Sequence, residues 1–165
     1  HWSGEPERIF CSTRPDPRTD FPHEDGICTY VLEYQSGLRV VIVDDVWTGP
    51  AREGCPGDIR IEYRVEGLDG LAIGGIGWCQ DPYPTPSTLR WARKGDDDFQ
   101  DAELEGSWFP DAFGGTMAEL LDAVDRGREP DFSGRDNLHT LALIDAAERS
   151  RQEKRAVALD EVPVG

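Results

Sequence analysis

The sequence predicts an α+β fold: an open, largely antiparallel β-sheet with helices packed on one face, the other face available for dimerisation. The first two-thirds of the chain read as short strands parted by turn residues. The last third carries apolar residues at helical spacing. Strands first and helices last, rather than the two alternating, point to an antiparallel sheet with segregated helices.

Residues 8–13 form the first strand-like run, and a Pro- and Asp-rich loop follows over 14–25. Residues 27–34 (ICTYVLEY) are rich in β-branched and aromatic side chains and end in the turn signal Gln35-Ser36-Gly37. Residues 38–47 (LRVVIVDDVW) follow at hairpin distance. Leu38, Val40 and Ile42 share one face of this strand; Val41, Val43 and Trp47 share the other. A strand that is apolar on both sides expects cover on both. Residues 59–66 (IRIEYRVE) alternate, with Ile59, Ile61, Tyr63 and Val65 opposite Arg60, Glu62, Arg64 and Glu66. Residues 71–78 make a Gly-rich strand, and 89–93 and 99–104 are weaker strand candidates.

In the last third Phe113, Met117, Leu120, Leu121 and Val124 recur at three- and four-residue steps, one stripe of a helix. Gly127 suits its C-cap, and Pro130 stops continuation. Ser133 with Asp136 opens a second helix, whose stripe is Leu138, Leu141, Ala142, Ile144 and Ala147. The sheet face away from the helices keeps apolar patches, and a second subunit is the simplest cover.

At 165 residues the chain is sized for one domain. Its net charge of −16 argues against nucleic acid, whose phosphates call for Lys and Arg, and against anionic membrane surfaces. No stretch approaches the roughly 18 apolar residues of a membrane span, and no secretory leader pattern opens the sequence, so a cytoplasmic protein is expected. The first residue is His1 and the single methionine is Met117, which leads us to expect a piece of a longer protein. Cys11, Cys28, Cys55 and Cys79 fit no zinc spacing. Structural thiols in a reducing compartment are expected, with two disulfides in a secreted domain as the alternative.

Gly70, Gly74, Gly75 and Gly77 lack the spacing of a dinucleotide fingerprint and open no helix; they mark bulges or close backbone approach instead. No phosphate-cradling loop, nucleophile elbow or zinc-protease motif occurs. Asp96-Asp97-Asp98 reads as a solvated turn rather than a cation site, and no metal ligands are expected. His1, His23 and His139 lack a partner near in sequence that would activate them. Asp44-Asp45, at a strand end, are candidates for orienting sugar hydroxyls or for acid–base work, with a solvated strand end as the alternative. Trp47, Trp78, Trp91 and Trp108 suit either a sugar-lining role or the core.

The C-terminal half carries a composite pattern: Trp108-Phe109-Pro110-Asp111-Ala112-Phe113, then Gly127-Arg128-Glu129-Pro130, then Gly134-Arg135-Asp136-Asn137-Leu138-His139-Thr140-Leu141-Ala142-Leu143-Ile144-Asp145-Ala146-Ala147-Glu148-Arg149-Ser150. In this order the pieces resemble the end of the glucose-fructose oxidoreductase / inositol dehydrogenase / MocA (Gfo/Idh/MocA) family. Gly4-Glu5-Pro6-Glu7-Arg8-Ile9 resembles the family's lead into its first sheet strand. The resemblance covers nearly the whole chain, best over 108–159.

The resemblance implies the C-terminal substrate and dimerisation domain, 1–165, of an NAD(P)-dependent oxidoreductase acting on a sugar, inositol or related polyol or carbonyl compound. An N-terminal Rossmann domain would hold the nucleotide-binding glycines and the catalytic Lys. The catalytic His would fall just before His1, since Trp2-Ser3-Gly4 looks like the end of the helix that follows its motif. This chain alone is therefore expected to be inactive, with no catalytic or cofactor-binding residue, NAD or NADP being bound by the whole protein. A sugar-like molecule and a homodimer or higher homo-oligomer through the sheet face are the expected partners. Trp108, Phe109, Asp111 and Phe113 are the substrate-contact candidates, followed by Asp44, Asp45 and Trp47. Two other readings stand beside it: a free-standing acidic α+β binding or dimerisation module, and a hydrolase or lyase using Asp44, Asp45 and His23.

Overall fold

A computed structural model describes residues 4–45, 60–77, 86–108 and 110–162. The elements run β1 (Arg8–Arg14), β2 (Ile27–Glu33), β3 (Arg39–Asp45), β4 (Arg60–Glu66), β5 (Gly70–Gly77), β6 (Thr88–Arg93), β7 (Gln100–Asp101), α1 (Asp111–Arg126), α2 (Asn137–Glu153) and β8 (Val157–Ala158). Every described strand pairing is antiparallel, so the α+β class stands. The strands divide into two four-stranded sheets, β3-β2-β1-β8 and β4-β5-β6-β7, where the sequence predicted one. They belong to two compact units, His1–Trp47 with Asp131–Gly165, and Thr48–Pro130.

In the first unit α2 packs against β1 and β8. Ile9, Leu32, Ala142, Ala146, Val157 and Val162 form the core. The face α2 buries includes Ala142 of the predicted stripe, with Ala147 packed beside the core, but is rotated away from its larger residues. Ala142, Ala146 and Ser150, at four-residue steps, are buried, while Leu141 and Ile144 are exposed. Small residues let the helix approach the sheet closely, so size rather than hydrophobicity chose the contact side. The second helix start is close to that predicted: the Ser133 hydroxyl accepts the Asp136 N–H at 3.1 Å, and the helix begins at the next residue.

β8 escaped the sequence reading because two residues show no periodicity. Its shortness has a consequence at β1. β8 pairs with Arg8 and Ile9, and beyond them β1 has no strand on that side among the described residues. The Cys11 N–H donates instead to the Ser150 hydroxyl at 2.8 Å, and that hydroxyl donates to the Arg155 carbonyl at 2.6 Å. One fully buried side chain, 0% exposed, thereby continues the ladder that the strand leaves unfinished.

Opposite α2, the sheet presents Phe10, Val31 and Val41 in one cross-strand row and Ser12, Thr29 and Val43 in the next. Val41 and Val43 are each 66% exposed. The two-sided apolar character predicted for this strand is thus present, with one side uncovered.

In the second unit, α1 ends as predicted. Gly127 adopts φ 62°, a left-handed conformation that glycine takes without steric cost, and its N–H reaches the Ala123 and Val124 carbonyls. The predicted stripe of Phe113, Met117, Leu120, Leu121 and Val124 is exposed, as are Ile61 and Val65 on β4. An amphipathic pattern shows which side seeks cover, not what supplies it. The Gly-rich strand behaves as predicted at Gly74. A Cβ there would stand 2.2 Å from the Thr88 carbonyl oxygen and 2.6 Å from the Tyr63 hydroxyl, so its absence lets Tyr63 lie across the sheet. Gly74→Ala should therefore lower the stability of this unit by about 1–3 kcal/mol through overpacking. Urea unfolding followed by tryptophan fluorescence would measure it.

Candidate functional site

The residues proposed for function fall in both units. Asp44 and Asp45 end β3, opposite Cys28 and Ile27 of β2. Asp45 is ion-paired with Arg18, whose guanidinium also reaches the Asp16 carboxylate at 2.7 Å. The Asp16 side chain is fully buried and also accepts the Arg18 backbone N–H at 2.9 Å. The Asp16 amide donates to His23 Nε2 at 2.7 Å, and its carbonyl accepts the Thr19 hydroxyl at 2.9 Å. His23 Nδ1 lies 2.9 Å from the Phe21 carbonyl. His23 is thereby committed on both ring nitrogens, with Nδ1 the protonated one, and it serves the loop rather than an open catalytic role. The Pro/Asp loop is thus a clasp centred on Asp16 and fastened to the end of β3. Sequence reading missed it, although the spacing Asp16-x-Arg18 with His23 was its signal.

In the second unit, Trp108 and Phe113 meet edge to face at 6.2 Å between ring centroids. Asp111, the first residue of α1, accepts the Ser107 N–H at 2.6 Å and the Ser107 hydroxyl at 3.0 Å through Oδ2. It braces the bend into the helix, where a carboxylate is also favoured by the helix dipole. Trp47, Trp78 and Phe109 lie outside the described residues, as do His1, Cys55 and Cys79. Asp96 and Asp98 accept the N–H groups of Arg93 and Phe99, so this acidic tract shapes a turn. Among the described residues no cluster of three or more His, Cys, Asp or Glu could hold a metal ion, and no helix is long and apolar enough to cross a membrane.

A cavity of about 330 Å3 lies beside α2 in the first unit, lined in part by Cys11, Cys28, Tyr30, Glu148 and Arg151. Both thiols are free and buried. Burial, then the neighbouring Cys28, pushes the Cys11 thiol up, which keeps it protonated and unreactive. The hydrogen bond with Cys28, then burial, raises the Tyr30 phenol. The Cys28 thiol donates to the Asp25 carbonyl at 3.2 Å. These are structural thiols, as expected for this pair.

The charged cluster around the end of α2 has a pH consequence. Hydrogen bonds from Arg151, then Gln152, hold Glu148 at about 2, and Arg155, then the Ala158 N–H, hold Glu161 at about 2, against an ordinary value of 4.5. Depressed carboxylates stabilise the fold above their ordinary value and cease to do so as pH falls through the folded one. Thermal stability should therefore decline from about pH 4.5 towards pH 2. Glu161→Gln should flatten that decline in thermal melts across the range, and added salt should weaken it because these pairs are exposed.

No protein-family model and no curated protein matches the chain. Solved structures do. An enzyme described as an NADPH-dependent oxidoreductase from Desulfitobacterium hafniense is 20% identical, with a TM-score of 0.69 over 98% of this chain and 44% of that one. An oxidoreductase from Agrobacterium radiobacter, solved with NAD+, L-tartaric acid and magnesium, is 19% identical, with a TM-score of 0.69 over 96% of this chain and 45% of its own. Levoglucosan dehydrogenase in complex with NADH is 13% identical, with a TM-score of 0.69 over 94% and 45%. The chain thus spans less than half the length of the structures it matches. These neighbours are Gfo/Idh/MocA-type NAD(P)-dependent oxidoreductases. The chain has the fold of one segment of such enzymes.

Proposed function

We propose that residues 1–165 form the C-terminal substrate-binding and oligomerisation domain of a two-domain, cytoplasmic NAD(P)-dependent oxidoreductase acting on a sugar, inositol or related polyol or carbonyl compound. The observation that carries this reading is the lopsided match: nearly all of this chain aligns with less than half of each neighbour. The composite motif over 108–159 supports it independently. In this reading the nicotinamide cofactor and the catalytic Lys and His belong to the other half, and this chain alone binds no cofactor. The cofactor supplies the hydride chemistry; the residues here shape the substrate end. In the second unit Trp108 and Phe113 provide aromatic walls, and Asp111, with Oδ2 held by Ser107, offers Oδ1 to a hydroxyl; Phe109 is a candidate from the sequence pattern alone. In the first unit Asp44, Asp45 and Trp47 are the second group. The free buried thiols Cys11 and Cys28 suit a reducing compartment.

The reading frame upstream of His1 tests the proposal. About 100–150 further residues with a glycine-rich strand-to-helix turn are expected there. A start codon directly before His1 would instead favour a free-standing module.

The exposed sheet face carrying Val41 and Val43 is the proposed dimer surface. Val43→Glu should shift the chain from dimer to monomer in sedimentation or light scattering, without loss of secondary structure. A chain that is monomeric before substitution would remove this part of the proposal.

A further inference from the structure

On the face of the first sheet that α2 covers, the cover is half complete. α2 packs on β1 and β8, at one side of the order β3-β2-β1-β8. Strands lie about 4.8 Å apart and a helix with its side chains is about 10 Å wide, so one helix roofs about two of the four strands. The other half is apolar. Register with Ile9 and Cys11 turns Tyr30, Leu32, Val40 and Ile42 of β2 and β3 to the α2 side. Ile42 is 44% exposed there, and Ile144 on the flank of α2 is 57% exposed. A trough runs between them. A cavity of about 250 Å3, lined in part by Ile9, Leu32, Ile42 and Leu143, meets the cavity of about 330 Å3 described above at Tyr30, Ile144 and Ala147.

The chain's own entry and the charge of the trough say what fits it. The chain reaches β1 at the Ile9–Leu32 end, where the Glu7 N–H donates to the Glu33 carbonyl at 2.7 Å and the Glu7 carbonyl accepts the Leu159 N–H at 3.0 Å. Just before, Gly4 adopts φ 72°, and Pro6 is buried two residues on. A left-handed glycine closely followed by proline is a common helix ending, and α1 ends in the same way at Gly127 and Pro130. A helix that closes at this turn and folds back along the trough brings its N-terminus to the far end. There the lining holds Glu24, Asp25 and Glu148 against the single guanidinium of Arg151, and carboxylates favour a helix N-terminus. The seven residues of β2 span about 23 Å, the length of a helix of about 15 residues. Each structural neighbour carries more than half its length outside the matched segment, and a similar surplus here would supply such a helix.

We propose that the trough beside α2 holds an amphipathic helix from the native polypeptide upstream of His1, laid antiparallel to β1. The proposal rests on the reading of residues 1–165 as one half of a longer protein and goes beyond it by saying where the other half docks. The two faces of the sheet then have different occupants, the upstream helix on the Ile42 side and a second copy on the Val43 side.

Photo-crosslinking in the native polypeptide tests it, with p-benzoylphenylalanine placed at Ile42 and the cross-linked peptides identified by mass spectrometry. The probe should capture, within one chain, residues of the segment of about 15 residues that leads into the Gly4 turn, spaced three or four apart. The same probe at Ile144, on the other wall, should capture the same segment, and it serves where the probe at Ile42 disturbs the sheet. At Val43, next in sequence but on the opposite face, the probe should not reach that segment. Capture of a second copy or of residues 48–130 from Ile42 and Ile144, no capture from either, or equal capture of the upstream segment from Val43 would overturn the inference. NADH binding by the native polypeptide separates the two claims. Binding with cross-links elsewhere defeats only the inference. Cross-links to the upstream segment without binding defeat only the oxidoreductase reading, and a native polypeptide that begins at His1 defeats both.

Discussion

Ser150→Val should destabilise the first unit by about 2 kcal/mol, because it strands the N–H of buried Cys11 and takes the donor from the Arg155 carbonyl. The Ser150 hydroxyl accepts the Cys11 N–H and donates to the Arg155 carbonyl, and the side chain is 0% exposed. Valine fills the same space but can do neither. Each buried group left without its partner costs about 1–3 kcal/mol, and valine's apolar gain offsets part of the sum. Ser150→Thr keeps the hydroxyl and should lose less, the cost being one added methyl in a tight contact. Chemical unfolding of both variants measures the difference. Equal losses would mean that packing, not hydrogen bonding, sets the effect.

Arg18→Met should be comparably costly, at about 3 kcal/mol, since removing one partner of a buried ion pair leaves a charge in a poor environment. The Asp16 carboxylate is fully buried, and Arg18 is its bidentate charged partner as well as the link to Asp45. Methionine keeps the unbranched stem and removes only the fork. The double variant with Asp16→Asn should recover part of the loss, because the buried charge goes with it. Amide exchange should localise the weakening to the 14–26 loop and the end of β3. A loss spread evenly over both sheets, with no recovery in the double variant, would contradict the clasp.

These two sites show where sequence reading stops. The α+β class, seven strands, both helices and the Gly127 cap were legible because each rests on periodicity or on one local conformational demand. Gly74 was legible too, as a glycine in a strand that answers to close backbone approach. The Ser150 bridge was not, because it depends on where β8 ends, and two residues carry no pattern. The Asp16 clasp joins a loop to a strand end 27 residues away through Arg18 and Asp45. The spacing Asp16-x-Arg18 with His23 announces the contacts within the loop, but nothing local announces the one to Asp45. The buried face of α2 was misread for a related reason: Leu141 and Ile144 looked like core by hydrophobicity, yet close approach to the sheet selected Ala142, Ala146 and Ser150.

The site residues divide the same way. Asp111 was named because the resemblance places substrate contacts in that stretch, and the structure adds its brace on Ser107. The grouping of polar side chains around Gly75 in the second unit went unnamed because its residues come from three strands. Only the register brings Glu62 and Arg64 beside Thr88 and Arg90.

The central claim, that this chain is one half of a nicotinamide-dependent oxidoreductase, is tested most directly by NADH fluorescence titration of the native polypeptide beside residues 1–165 alone. The account predicts saturable binding by the native polypeptide and none by the 165-residue chain. A native polypeptide that does not bind NADH, or a 165-residue chain that binds it unaided, would contradict it.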